Sequence, residues 1–260
     1  MGSAEKQGQL WGAAARQWSE MTEPGQIPFY EAAFDAIGVT SGTNLLDVGC
    51  GAGLALQLAE KRGATLSGID AADGLLVVTR ERVPDADIRQ GEIEELPFDD
   101  DSFDVVTAFN SVQYAADPSA ALREIKRVAK SGAPVAVVTW GTAEQCEMRV
   151  VLAAIGSLLP PPPPGAGGPF ALAAAGALEA LVEGAALSAE RSIDVPTPFI
   201  YPDVDTAVQA HLASGPARMA INSAGLEATT AALRTAVESG VQPDGSVRFD
   251  NVFKVVVAHA

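Results

Sequence analysis

Asn44-Leu45-Leu46-Asp47-Val48-Gly49-Cys50-Gly51-Ala52-Gly53-Leu54-Ala55-Leu56 reads as a strand, a glycine turn and the start of a helix. Leu45, Leu46 and Val48 form a short apolar run, as in a strand buried on both faces. Gly49, Gly51 and Gly53 let the backbone bend sharply and approach a ligand with no Cβ in the way. A helix starting near Gly53 points its unbonded N–H groups at that turn, which favours a negative group there. A nucleotide-like cofactor is the first expectation. The dinucleotide fingerprint wants glycine at 49, 51 and 54. Position 54 is Leu, so a pyrophosphate cradle loses support.

Downstream, Ala64 to Ile69 predicts a second strand ending in Asp70. A carboxylate there, about 20 residues past the turn, can accept hydrogen bonds from both hydroxyls of a ribose. Asp73 is expected to cap a helix running to Arg82. Ala86 to Gln90 is a third strand, and residues 102–110 form a fourth that arrives at Asn110. Asp117-Pro118 is an N-cap followed by proline at the first helical position. Leu122, Ile125 and Val128 then supply a buried stripe, and Ala133 to Trp140 is a fifth strand. Strands alternating with helices from 44 to 140 predict an α/β fold, a parallel sheet wound on both faces. Ligands of such sheets sit beyond the carboxyl ends of the strands. Asp47, Asp70, Glu92 and Asn110 fall at four successive ends.

The Asp47–Gly53 segment resembles the first signature of the class I S-adenosylmethionine-dependent methyltransferases. Glu95-Leu96-Pro97-Phe98 and the stretch Asn110 to Pro118 are similar to the small-molecule methyltransferases of the type 11 group. The resemblance covers residues 27–140 well, is weaker to about 200, and is architectural beyond. It implies a doubly wound, mostly parallel seven-stranded sheet of the Rossmann-like methyltransferase type, with a helical cap and S-adenosylmethionine as cofactor. On the matching positions, Asp47, Gly49, Cys50 and Gly51 would hold the methionine part of the cofactor, and Asp70 and Ala71 the ribose. Glu92 and Ile93 would hold the adenine, and Asn110 would complete the site. Glu92 departs from the usual Asp, and the longer side chain would shift the contact to the adenine amino group or make it through water. Trp11, Trp18, Tyr30, Gln113 and Tyr114 are the expected acceptor-side residues. The implied reaction is methyl transfer to a small organic molecule, mainly by positioning and in-line displacement. Gln113 and Tyr114 stand where related enzymes often carry His, and no catalytic base is assigned.

A single domain over residues 1–260 is expected, with an N-terminal helical cap at 1–37 that includes helices around 5–23 and Ile27–Ile37. Insertions at 141–170 and 203–246 are expected to cover the substrate pocket. They comprise a helix from Thr142 to Leu159, a stiff Pro160–Pro164 run with Gly165–Gly168 after it, and helices at Thr206–Leu212 and Glu227–Glu238. A helix at Leu172–Val182 and strands at Arg191–Pro198 and Asn251–Ala258 complete the reading.

The net charge of −16 opposes a nucleic-acid partner at long range. Two cysteines, Cys50 and Cys146, form no disulfide framework and fit a reducing cytoplasm. Met1 to Leu10 is polar and no signal peptide is read there. The apolar run Phe170–Leu187 is interrupted by Glu179 and Glu183, and no membrane span is expected. No metal site is expected, because no close His/Cys set is present. His211 is expected on a helix face and His259 at a strand end on the surface. The acids from Glu94 to Asp101 read as a solvated face. Two other readings stay open. A nicotinamide-dependent oxidoreductase could use Asp70 on the same fold, against which stand Leu54 and the lack of a Tyr-x-x-x-Lys pair. A protein that binds S-adenosylmethionine without methyl transfer is the second.

Overall fold

The computed structural model describes residues 3–161 and 168–260. Its centre is the sheet that the strand–helix alternation predicts. β1 (Asn44–Val48), β2 (Thr65–Asp70), β3 (Asp87–Gln90), β4 (Val105–Phe109) and β5 (Pro134–Trp140) lie parallel. β6 (Ser188–Pro196) and β9 (Val252–His259) extend it, in the order β3-β2-β1-β4-β5-β9-β6. β9 runs antiparallel to both β5 and β6, so β6 points the same way as β5. The expected strand limits shift by a few residues. The fourth strand narrows to Val105–Phe109, with Phe103 making only an isolated bridge to Ala129. The sixth starts earlier, at Ser188.

Successive residues of a strand face opposite sides of the sheet. Leu45 therefore packs with Phe29, Phe34, Leu56 and Phe253 on one side. Leu46, Val48 and Val106 pack with Leu122, Ile125 and Leu178 on the other. The first side carries α3 (Ile27–Ile37) and α4 (Leu54–Lys61), and the second α6 (Pro118–Val128) and α8 (Ala177–Gly184). α3 ends as its sequence dictates: Gly38 takes φ +70° and donates its N–H to Phe34 O, the left-handed cap that costs glycine nothing. Asp117 caps α6 by accepting from Ser119 N at 2.9 Å and Ala120 N at 3.1 Å.

Several local expectations are corrected. The cap of α5 (Asp73–Arg82) is Ala72, with no side-chain hydrogen bond, and Asp73 lies inside the helix, 3.8 Å from Arg80. The segment 5–23 folds as two helices, α1 (Ala4–Gly12) and α2 (Ala15–Met21), followed by a 3-10 turn at Glu23–Gln26. Thr142–Leu159 is not one helix. A 3-10 turn at Ala143–Gln145 closes on a Thr142/Gln145 capping box, and α7 (Arg149–Gly156) follows. The gap exists because Glu147 N and Met148 N are taken by Asp250 O and by Asn251 Oδ1 at 3.0 Å. The helix expected at Leu172–Val182 is displaced to α8, behind a 3-10 turn at Ala171–Ala173. Of the proline and glycine run, Pro162–Pro164 and Gly165–Gly167 lie outside the described residues.

Between β6 and β9 the chain forms a two-stranded ribbon, β7 (Phe199–Tyr201) with β8 (Val247–Phe249). From it project α9 (Val204–Leu212), α10 (Gly215–Ala224) and α11 (Leu226–Val237). The ribbon and α10 were not legible beforehand. Among the described residues, no helix is long and apolar enough to cross a membrane.

Candidate cofactor and acceptor site

Beyond the carboxyl ends of β1 to β4 lies a cleft with about 820 Å³ of space between protein atoms, counting its open mouth. The strand ends contribute Asp47, Gly49, Cys50, Gly51, Asp70, Ala71, Glu92, Ile93 and Asn110 to its walls. All nine residues expected around a cofactor therefore border one space.

The glycine turn shapes the floor. Gly49, Gly51 and Gly53 have φ of +78°, +57° and +82°. A Cβ on Gly49 would stand 2.3 Å from Ser111 Cβ, whereas a Cβ on Gly51 would meet only Glu23 Oε1, at 3.8 Å. Gly49 thus permits close packing against the loop after β4, and Gly51 faces open space. Ser111 Oγ donates to Val48 O at 2.6 Å and locks that packing.

Asp70 accepts from Gly51 N at 2.9 Å and from Ala72 N at 2.8 Å. These bonds fix its carboxylate across the floor, and each oxygen keeps lone-pair capacity for a hydroxyl donor. Burial nevertheless pushes its carboxyl upward, against those hydrogen bonds. Asp47 is buried inside β1 and accepts from Thr107 Oγ1 at 2.8 Å. Burial, with Asp70 and Glu23 nearby, raises its carboxyl from 3.8 to about 7. Cys50 is buried too, and its thiol is pushed up, which keeps it protonated and unreactive. Asn110 holds φ +52° at the end of β4, an uncommon conformation for a non-glycine residue.

Glu92 is engaged otherwise than expected. Its carboxylate accepts from Ala4 N at 3.0 Å and from Ser3 Oγ at 3.5 Å, so it fastens the start of α1. Burial, then Glu94 alongside, pushes its carboxyl upward. Glu94 is not merely solvated: it accepts from Ala116 N at 2.7 Å and Asp117 N at 3.0 Å, bracing the loop that carries Tyr114. Arg127 similarly gathers Glu124, Asp100, Leu96 O and Phe98 O.

The N-terminal segment supplies the opposite wall, through Trp11, Trp18, Glu23, Gln26 and Tyr30. Trp11 meets Trp18 edge-on at 4.8 Å and Tyr114 edge-on at 5.6 Å between ring centroids. Tyr30 donates to Gln26 Oε1 at 2.6 Å. α1 reaches this position by backbone contact: a Cβ on Gly8 would lie 2.5 Å from Ala71 O, and one on Gly74 would lie 2.6 Å from Gly12 O. Gln113 does not border the cleft. It donates to Asn110 Oδ1 and so acts through that residue.

Among the described residues, neither insertion borders the cleft. The segment 203–246 instead backs the N-terminal helices. Thr22 Oγ1 donates to Ala210 O at 3.0 Å, Gln17 reaches Gln209 O, and a Cβ on Gly215 would stand 2.6 Å from the Trp11 indole. It is a second layer rather than the roof itself. His211 is buried on α9, edge-on to Tyr201 at 5.3 Å. His259 sits at the end of β9, with Nε2 2.8 Å from Glu190.

Glu23 was missed. Thr22-Glu23-Pro24-Gly25 looks like an exposed turn, and nothing in the sequence marks its carboxylate as buried. The structure leaves Glu23 only 2% exposed. The charged residues bordering the cleft are Glu23, Asp47, Asp70 and Glu92, with no Lys, Arg or His among the described residues there.

Comparison with known proteins agrees with this geometry. The family model described as a methyltransferase domain matches residues 46–137. The demethylmenaquinone methyltransferase of Renibacterium salmoninarum is 36% identical over 103 residues, 40% of this chain and 44% of that protein. Methyltransferase GfsG of Streptomyces halstedii is 34% identical over 131 residues, 46% of this chain and 47% of that protein. The chain thus spans about half the length of the curated relatives it matches. A putative methyltransferase structure from Bacillus halodurans superposes with a TM-score of 0.61 at 17% identity, covering 88% of this chain and 97% of that one. The [4+2]-cyclase SpnF superposes with a TM-score of 0.57 at 20% identity, covering 89% and 80%. Such likenesses show the fold alone. The sheet order and the superpositions show the doubly wound, Rossmann-like fold of the class I methyltransferases, and residues 46–137 match the methyltransferase-domain model.

Proposed function

We propose that the protein transfers a methyl group from S-adenosylmethionine to a small organic acceptor that is uncharged or cationic. The observation that carries this reading is the cleft itself: a glycine cradle and Asp70 on one wall, an aromatic wall opposite, and no cationic side chain among the bordering residues. Gly51 fits the cofactor's close approach, because open space stands where its side chain would be. Asp70 suits the ribose hydroxyls, and Ile93 an adenine face. The acidic lining, with no cation bordering the cleft to offset it, disfavours a phosphate or carboxylate acceptor.

S-adenosylmethionine supplies an electrophilic methyl on a sulfonium. The chain's part is alignment and exclusion of water, which can account for most of the rate of such a displacement. Trp11, Trp18 and Tyr114 form a rigid, apolar wall for the acceptor. Burial pushes the Tyr114 phenol up to about 12. It therefore stays protonated at neutral pH and can donate a hydrogen bond, but takes no proton. Cys50 and Cys146, both buried and unpaired, support a reducing, cytoplasmic setting.

Titration calorimetry with S-adenosylhomocysteine and with NAD tests the reading. The first should bind and the second should not. Asp70→Ala should weaken S-adenosylhomocysteine about ten- to a hundredfold, the worth of hydrogen bonds to a charged group. Binding of NAD with no response to S-adenosylhomocysteine would refute the proposal.

A further inference from the structure

Among the carboxylates bordering the cleft, Glu23 alone is delivered by the N-terminal segment rather than by a strand end. Its Oε2 pairs with Arg82. Arg82 also donates to Ala52 O at 2.8 Å and Ser19 O at 2.9 Å, and does not border the cleft. Glu23 Oε1 accepts from Leu54 N at 3.3 Å, at the first turn of α4. The same oxygen is the nearest atom to where a Gly51 side chain would begin. It therefore stands beside the glycine turn on the open side.

The start of a helix after a glycine turn attracts an anion, because its N–H groups are unbonded and the dipole is positive there. In this chain that place is already taken by a carboxylate of the protein. An incoming carboxylate would meet a like charge in a buried setting. An incoming ammonium would meet a fixed acceptor whose other oxygen is held by a guanidinium.

We infer that Glu23 is a specificity-determining residue that receives the ammonium group of the cofactor's amino-acid end. This rests on the S-adenosylmethionine reading above. It predicts which half of the amino acid matters: the amine contributes to binding and the carboxylate contributes little.

Calorimetry separates the two claims. The wild-type protein is titrated with S-adenosylhomocysteine, with 5′-methylthioadenosine, which lacks the amino-acid end, and with the decarboxylated and deaminated forms of S-adenosylhomocysteine. The decarboxylated amine should bind about tenfold or more tightly than the deaminated acid, the range expected for a charge-assisted hydrogen bond. Glu23→Gln keeps an acceptor for Leu54 N but removes the charge. It should weaken S-adenosylhomocysteine and the decarboxylated amine about tenfold, and leave 5′-methylthioadenosine within about twofold. Equal weakening of all ligands would reduce Glu23 to a brace of the turn and overturn the inference. So would a wild-type protein that binds the acid as well as the amine, a comparison that needs no variant to fold. If the wild type binds neither S-adenosylhomocysteine nor 5′-methylthioadenosine, the cofactor reading itself falls.

Discussion

Replacing Asp47 with Asn should make the ligand-free protein more stable at pH 8 and by distinctly less at pH 5. Asp47 is 1% exposed, its single hydrogen-bond partner is Thr107 Oγ1, and the charges closest to it, on Asp70 and Glu23, share its sign. Its carboxyl rises from 3.8 to about 7 for that reason. A folded pKa above the unfolded one means that the native state holds the proton more tightly. The stabilisation is complete below about 3.8 and is lost progressively from there until pH passes about 7. The gap amounts to ~4 kcal/mol at about 1.36 kcal/mol per pH unit. Asn offers Thr107 the same acceptor oxygen and never ionises. The variant should therefore gain about 2–4 kcal/mol at pH 8, or roughly 5–10 °C in Tm for a chain of this size. Thermal and urea melts of nucleoside-free protein at pH 5 and pH 8 measure it. No gain at pH 8, or an equal gain at both, would refute the reasoning.

Gly49→Ala forces a side chain into a φ of +78° and within 2.3 Å of Ser111 Cβ. Strain and overpacking together should cost about 2–5 kcal/mol by chemical denaturation, and adding Ser111→Gly should recover only the steric part. Burial holds the His211 imidazole at about 4, below its ordinary 6.5. The unfolded state takes the proton first, so wild-type stability should fall by up to ~3 kcal/mol between pH 6.5 and 4 from this residue. His211→Phe, which keeps the edge-on contact with Tyr201, should remove that slope in pH-dependent melts. Asp47 acts in the opposite sense over the same range, so the two slopes must be read from the separate variants.

The sheet was legible because its signals are local. The apolar run of β1, the glycine turn and the Asp117-Pro118 cap each state their conformation within a few residues. The four polar strand ends converge by topology alone, since parallel strands place their carboxyl ends on one edge. What the sequence withheld depends on contacts between distant segments. Nothing near Glu23 announces Arg82, 59 residues away. Nothing near Glu92 announces that its carboxylate caps α1 rather than awaiting a ligand. The break in the helix expected at Thr142–Leu159 comes from Asp250 and Asn251, which claim its backbone donors. The β7–β8 ribbon was hidden because three-residue strands carry too little alternation to read.

The ribbon fixes what can change in this protein. Tyr201 and Val247 are paired across it, so the chain that projects as α9 to α11 leaves the fold and returns to it at one point. Below that point, β6 and β9 are held together by a ladder that extends from Pro196 and Val252 to Ser188 and His259. A segment with its ends fastened side by side can lengthen cheaply, since doubling a loop costs only about 0.6 kcal/mol of closure entropy. The helices behind Trp11 and Thr22 can therefore be exchanged wholesale while the glycine turn and Asp70 keep their places. Inheritance in such a molecule is divided by thermodynamics. The glycine turn and Asp70 lie within residues 46–137, where the methyltransferase-domain model matches, and the helices that back Trp11 and Thr22 lie outside them.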